Sequence, residues 1–377
     1  MAVQPATSRQ TTIPQRVRRK RTAGIRIFLV SLCSFLIISV LGMCWFFFTT
    51  SGSTLRFMMA DTLITTQHRD WAKYLIGSTE LQKRVAAYAK SFDDMGAEKD
   101  LGLVDIEPKP SHTPTQAQGP IEVKKDLVTI VPISGANFKG QLVTISDPTK
   151  LRIAVPEKVG KGEKVSSMVK RTGAILGVNG GGFIDPNWEG NGFQPEGVVI
   201  SGGKIFYNDK GMNGSVNVVG IDKQGRMIAG KYTVAELMKM GVQEAVSFSP
   251  RFIVNGVGQI KSQADGWGIA PRTCMAQTKD GAILFAIIDG RQKHSIGATL
   301  YDVQEIFLAH GAITAANLDG GASTVLVHNN AIINKPSSEY GERYLPTAWL
   351  LFEHPETAVI KNVWEGLDIS KIDPSKW

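Results

Sequence analysis

The sequence predicts an α+β protein: a strand-rich single globular domain with a few helices, preceded by one transmembrane helix and a helical stalk. Three observations predict it. An uncharged 22-residue run spans Ile27 to Phe48, short β-branched runs separated by turn residues recur from Leu127 to Phe352, and only three segments within that stretch have helical patterning.

The chain begins with a basic tail, residues 1–26. Of 42 bases and 34 acids, Arg9, Arg16, Arg18, Arg19, Lys20, Arg21 and Arg26 lie in this tail with no acid among them, and the remainder is near neutral, 35 bases against 34 acids. The pI of about 9.3 therefore belongs to the tail. A near-neutral remainder argues against a nucleic-acid partner, whose phosphates need clustered bases. Residues 27–48 follow, ~33 Å long as a helix, enough for the ~30 Å hydrocarbon core. A cleavable signal peptide is the competing reading, but its apolar core is shorter and ends at small residues, whereas this one ends Trp45-Phe46-Phe47-Phe48, suited to an interfacial belt. The basic flank predicts a cytoplasmic N-terminus and an extracellular C-terminal domain in a single-pass cell-membrane protein.

Next come an amphipathic stalk and a spacer. Leu63, Ile64, Trp71, Leu75, Ile76, Leu81, Val85 and Tyr88 recur at three- and four-residue spacings, giving a helical stalk over 49–96. Residues 97–125 turn to Pro, Thr, Gln and charge, the composition of a spacer. The domain then covers 126–355, with a C-terminal tail at 356–377. Strands are predicted at 127–133, 141–145, 151–155, 174–178, 198–200, 216–221, 273–278, 283–288, 313–318, 324–328 and 347–352, with Lys279-Asp280-Gly281 as a hairpin turn. Helices are predicted at 165–172, 234–240 and 301–310, the last closed by Gly311. Cys33 and Cys44 lie in the apolar run, so Cys274 has no partner for an intrachain disulfide in the domain and stability must come from its core.

Several motifs carry candidate chemistry. Asn179-Gly180-Gly181-Gly182-Phe183 puts three glycines at a strand end, which can bring a ligand close to backbone or merely form a turn. Glu196 precedes a strand. Arg251 and Arg272 each follow a proline and precede a strand, offering guanidinium forks for an anion or a salt bridge. Ile288-Asp289-Gly290-Arg291 and Leu318-Asp319-Gly320-Gly321-Ala322-Ser323-Thr324 each end a hydrophobic strand in Asp-Gly. Two carboxylates on neighbouring strands suit glycoside cleavage, while an Asp-Gly turn is the plainer reading of either alone. His294 sits on a loop where it is either a proton donor or solvent-exposed, His310 suits a helix C-terminus, and His328 reads as structural. No Gly-x-Ser-x-Gly elbow is present.

Taken in order, Asn179–Phe183, Pro271-Arg272-Thr273, Asp289-Gly290-Arg291 and Asn317–Gly321 resemble the phosphodiester glycosidase family over roughly residues 125–353. The family includes an enzyme removing N-acetylglucosamine from a phosphodiester on lysosomal mannose and bacterial exopolysaccharide-associated proteins. This chain departs from the pattern at Gly182 and Ala322, where the family more often has an aromatic residue and a third glycine. The resemblance implies a hydrolase that cuts between an anomeric carbon and a phosphate oxygen in an extracellular or cell-envelope polysaccharide. It assigns Asp319, Asp289 and the reserve carboxylate Glu196 to catalysis. Arg272 and Arg251 go to the phosphate, with Asn179, Thr273, Gly320, Gly321, Ser323 and Thr324 around the substrate. No cofactor is certain, although Asp319, Asp289 and Asn179 are oxygen donors of the kind that hold Ca²⁺ or Mg²⁺. Two other functions compete: a noncatalytic phosphoglycan-binding domain, and a scaffold of a polysaccharide-export complex.

Overall fold

The computed structural model describes residues 15–66, 68–98, 100, 102–105 and 126–376. The chain divides into two compact units, 1–57 and 58–377. In the first, helix α1 (Gln15–Phe48) contains a stretch, Gly24–Phe48, long and apolar enough to cross a membrane, with large apolar side chains exposed along it. Most of the predicted spacer, including 106–125, lies outside the described residues.

Among the described residues, α-helical segments precede the strands of the second unit. These are the end of α2 (Thr50–Ile64), then α3 (Lys73–Ile76) and α4 (Ser78–Ala97). Within the stretch read as a stalk, α4 lies against the strand domain. The Phe92 ring meets Trp267 edge-on at 4.5 Å, Asp93 pairs with Lys231 at 3.1 Å, and Asp61 of α2 receives both its oxygens' bonds from Arg84 at 2.8 Å. An amphipathic stripe is stable only where its apolar face is covered, and here Trp267 and its neighbours cover it.

The remaining elements follow in chain order: β1 (Val128–Ser134), β2 (Lys139–Ile145), β3 (Leu151–Ala154), α5 (Val165–Thr172), β4 (Leu176–Asn179), β5 (Val198–Ser201), β6 (Lys204–Asn208), β7 (Ser215–Asp222), β8 (Met227–Thr233), α6 (Val234–Lys239), β9 (Val242–Ser247), β10 (Arg251–Val254), β11 (Val257–Gly258), β12 (Arg272–Thr278), β13 (Ile283–Ile288), α7 (Leu300–Ala309), β14 (Ala312–Asn317), β15 (Leu326–His328), β16 (Ala331–Ile332) and β17 (Ala348–Leu351). The three predicted helices form, and α6 and α7 start in capping boxes at Thr233 and Thr299. Gly311 follows α7 with φ +76°, the left-handed position that glycine takes readily.

The strands build three antiparallel sheets, ordered β1-β2-β13-β12-β14-β10-β11, β16-β15-β4-β17-β3 and β6-β5-β9-β7-β8. One core lies among all three, with Phe285 and Met275 from the first, Trp349 and Val178 from the second, and Val246 and Val219 from the third. The other face of the first sheet packs on α7, where Phe252 stacks on Phe307 at 6.2 Å. Because β13 is covered on both faces, its sequence reads as a continuous rather than an alternating apolar run. The strand expectations omitted β6, β8, β9, β11 and β16, and held β10 only as the strand that Arg251 precedes. In β9 the reason is Glu244, which sits fully buried mid-strand and accepts bonds from the Ile153 and Gly202 amides at 2.7 and 2.9 Å. A polar residue satisfied by these distant amides and by Arg152 carries no strand signal in the sequence.

Candidate active site

Antiparallel pairing assembles the site. Strands β13 and β14 both pair with β12, Arg272 opposite Ile288 and Cys274 opposite Asn317, so they run parallel to each other and leave the sheet at one edge. With neighbouring strands ~4.8 Å apart, Asp289 and Asp319 emerge roughly 10 Å from each other. The end of β4 joins them through Asn179. Its fully buried amide donates to the Asp319 carbonyl and accepts from Thr273 Oγ1 at 2.9 Å and the Val325 amide at 3.1 Å, while the Asp319 amide donates to the Gly180 carbonyl at 3.2 Å. Asn179 and Thr273 therefore brace the loop that carries Asp319.

Gly180 and Gly181 serve packing. Gly180 and Gly181 donate to Thr347 O and Oγ1 at 3.1 and 3.0 Å, and Gly182 donates to Ser247 O at 3.0 Å, so their amides are already engaged. A side chain at Gly181 would press on Val246 and the Ser247 carbonyl at 2.7 Å. Glycine is required there because three chain segments converge, not because a ligand approaches the amides. Exposed Glu196 borders the same loop, its amide on Gly182 O at 3.0 Å.

Asp319 is the chemically distinctive group. Its Oδ2 is sealed from solvent and has no hydrogen-bond partner among the described residues. Burial pushes its carboxyl up to about 7, against opposing pulls from the Ser323 hydroxyl, Arg343 and Arg291. Arg291 has φ +58° and lies over Gly321, which itself has φ +59°; a side chain there would come within 3.4 Å of the guanidinium. Arg343 pairs with Asp185 at 2.7 Å and lies 5.0 Å from the Phe183 ring centroid. Two guanidinium groups thus act on one unsatisfied carboxyl. Ser323 and Thr324 are buried in the same turn, and the Thr324 hydroxyl is also without a partner among the described residues.

Asp289 differs from Asp319 in being fully engaged. Its carboxylate meets His294 Nε2 at 3.0 Å and accepts from Asn334 Nδ2 at 3.2 Å and the Lys335 amide at 2.9 Å. Asn334 also donates to the Thr324 carbonyl and accepts from the Leu326 amide. This network orients His294 and ties the exit of β13 to the Asp319 turn.

The two arginines expected at the phosphate are placed elsewhere. Arg272 is buried on the face of β12 opposite Thr273, where its guanidinium donates to Ala298 O at 3.1 Å, Trp267 O at 2.7 Å and Gly268 O at 2.8 Å. Adjacent strand residues point to opposite faces, so Arg272 cannot share a cleft with Thr273 and Asn179. Arg251 donates to Met95 O at 3.2 Å and to Glu98 O, satisfying the orphan carbonyls at the end of α4. Arg272 is committed to backbone through Nε and Nη2, and so is Arg251, whose Nη1 has no partner among the described residues. The guanidinium groups that act on Asp319 are those of Arg291 and Arg343 instead. Arg291 lies within the Asp289-Gly290-Arg291 motif, whereas Arg343, Asp185 and Asn334 lie in segments without a recognisable signal.

Among the described residues no cluster of three His, Cys, Asp or Glu side chains is placed to hold a metal. Of the three oxygen donors considered for Ca²⁺ or Mg²⁺, Asn179 and Asp289 are committed to other partners. Exposed His310 bonds the Ile306 carbonyl at 2.7 Å. Half-buried His328 ends β15. Cys274 is fully buried, its thiol pushed up to about 12 by that burial, which makes it unreactive.

Residues 172–352 match the phosphodiester glycosidase family. A Bacillus subtilis protein, the SPbeta prophage-derived uncharacterized protein YomE, is 27% identical over 202 residues, or 52% of this chain; the match spans only 30% of that protein's length. Among solved structures, the catalytic domain of zebrafish N-acetylglucosamine-1-phosphodiester alpha-N-acetylglucosaminidase, auto-inhibited by its pro-peptide, aligns with a TM-score of 0.50 at 23% identity, covering 60% of this chain and 82% of that one. The strand-rich domain shares that fold, and the chain resembles the phosphodiester glycosidase family over the segment that carries both Asp-Gly turns.

Proposed function

We propose that this domain, with its phosphodiester glycosidase-like segment, hydrolyses glycosyl phosphodiesters outside the cytoplasm. The substrate would belong to an extracellular or cell-envelope polysaccharide, and residues 27–48 would hold the enzyme at the membrane with its N-terminus inside. The observation that carries the reading is Asp319: a carboxyl held near neutral pH by burial, with an unpartnered oxygen and two guanidinium groups at hand.

Hydrolysis of this bond places water on the anomeric carbon and releases a phosphate monoester, a good leaving group. The reaction therefore needs anion stabilisation more than protonation of the leaving oxygen. Arg291 and Arg343 bind the phosphate, and ionised Asp319 takes the proton of the attacking water. Asp289 acts as a positioning residue by holding His294, Asn179 and Thr273 hold the Asp319 loop, and Glu196 stands at the rim.

The test uses the full chain in detergent with a synthetic sugar-1-phosphate methyl diester, following release of reducing sugar. Activity in the wild type and a loss of about 10²–10⁴-fold in Asp319→Asn are expected. Saturable binding of an uncut diester would replace hydrolysis with a glycan-binding role.

A further inference from the structure

Between β16 and β17 the chain runs fifteen residues, 333–347, without a helix or strand. Loops of that length in a compact domain are commonly functional. This one crosses the catalytic edge as a strap. The Lys335 amide bonds Asp289, Ser337 Oγ reaches Gly321 O at 3.4 Å, and Arg343 pairs with Asp185 beside Phe183. Glu342 fastens the far stem by accepting from Ser166 N and Oγ at 2.8 and 2.6 Å.

Between these anchored stems the crown holds Tyr340 at 89% exposure, the highest of any large hydrophobic side chain among the described residues. A scattered exposed aromatic needs no explanation. One held out by a loop bonded to the site on both sides is different, because ordering the stems also fixes where the ring stands. Immediately beyond Arg343, the Tyr344 ring has the Lys161 and Lys164 ammonium groups 4.1 and 5.4 Å from its centroid. The strap thus presents an aromatic face at its crown, and past the arginine proposed for the scissile phosphate it meets two further cations, Lys161 and Lys164, from the segment before α5.

We infer that the strap is a subsite for the next repeat of a polymeric substrate, a chain of sugars joined by phosphodiesters. Tyr340 stacks on the neighbouring sugar ring, whose C–H face matches an aromatic surface, and Lys161 and Lys164 attract the neighbouring phosphate. The inference rests on the hydrolase reading for its location and narrows its substrate from any glycosyl phosphodiester to a polyanionic chain.

The experiment compares a synthetic tetramer of hexose-1-phosphate repeats with the single methyl diester of the same sugar phosphate, using the full chain in detergent. The wild type is expected to favour the tetramer in kcat/KM. Tyr340→Ala and the double variant Lys161→Ala/Lys164→Ala should each lower the tetramer-to-monomer ratio about three- to tenfold. Tyr340→Phe should restore it, and added salt should erode the wild-type preference. A ratio unmoved by the substitutions, or an equal loss on both substrates, overturns the subsite. If the wild type cuts neither compound, the hydrolase reading fails, and calorimetry of tetramer binding decides the subsite by itself: Tyr340→Ala must weaken it three- to tenfold, and unchanged affinity overturns the inference.

Discussion

Asp319 couples the chemistry of the site to the stability of the fold. Its carboxyl lies at about 7 against an ordinary value of 3.8, so the folded protein holds a proton there that the unfolded chain releases near pH 4. The stabilising contribution is complete below pH 4 and lost as pH rises through about 7. Asp319→Asn should therefore raise Tm at pH 8, by a stability gain of roughly 1–3 kcal/mol, and the gain should shrink towards pH 4. As a base, Asp319 works ionised. The proposed mechanism then requires wild-type kcat/KM on the methyl diester to rise with pH through about 7, and a profile falling there would make the residue a proton donor. Arg343→Ala should raise KM about tenfold or more for the same diester, because a charge-assisted contact to phosphate is lost. Both carboxylates were legible in the sequence, since an Asp-Gly pair after an apolar strand stands out. Their difference was not: the Asp289 carboxylate is hydrogen-bonded by Asn334 and Lys335, some 45 residues away along the chain.

At the scale of elements, strand alternation sorts the residues of one motif into different jobs. Thr273 faces Asn179, while Arg272 turns the other way and closes three carbonyls of the loops before and after it. Arg272→Ala should therefore destabilise the domain by about 3 kcal/mol or more, measured by urea unfolding, since it strands buried carbonyls. A variant of wild-type stability with a selective rise in KM would instead return Arg272 to the phosphate. Arg251 does comparable work for α4, fastening the helix end to the start of β10. Sequence reading recognised both arginines as fork donors but had no means of seeing which acceptors would surround them. Elements with strong local signals were legible, such as α7 with its capping box and β13 with its unbroken apolar run; β8 and β9 were not, because Gly230 and Glu244 are supported by packing from elsewhere.

For the molecule as a whole, the boundary between anchor and domain follows the packing of α4. Removing residues 1–57 should leave a soluble, folded protein that retains its activity on the methyl diester. Removing 1–97 should lower Tm by several degrees or cause aggregation, because it uncovers Trp267 and takes the Met95 carbonyl from the Arg251 guanidinium. Equal stability of the two truncations would show that α4 contributes little. The amino-acid sequence by itself determined the apolar N-terminal helix, the strand-rich α+β class, the family resemblance and the two Asp-Gly turns, because each is written in neighbouring residues. Only the tertiary structure decided that Asp319 and Asp289 share an edge, that Arg291 and Arg343 rather than Arg272 and Arg251 face it, and that Gly180 and Gly181 serve packing. Those outcomes depend on which face of a strand meets which distant carbonyl, and the burial that raises the Asp319 carboxyl exists only once the sheets have closed.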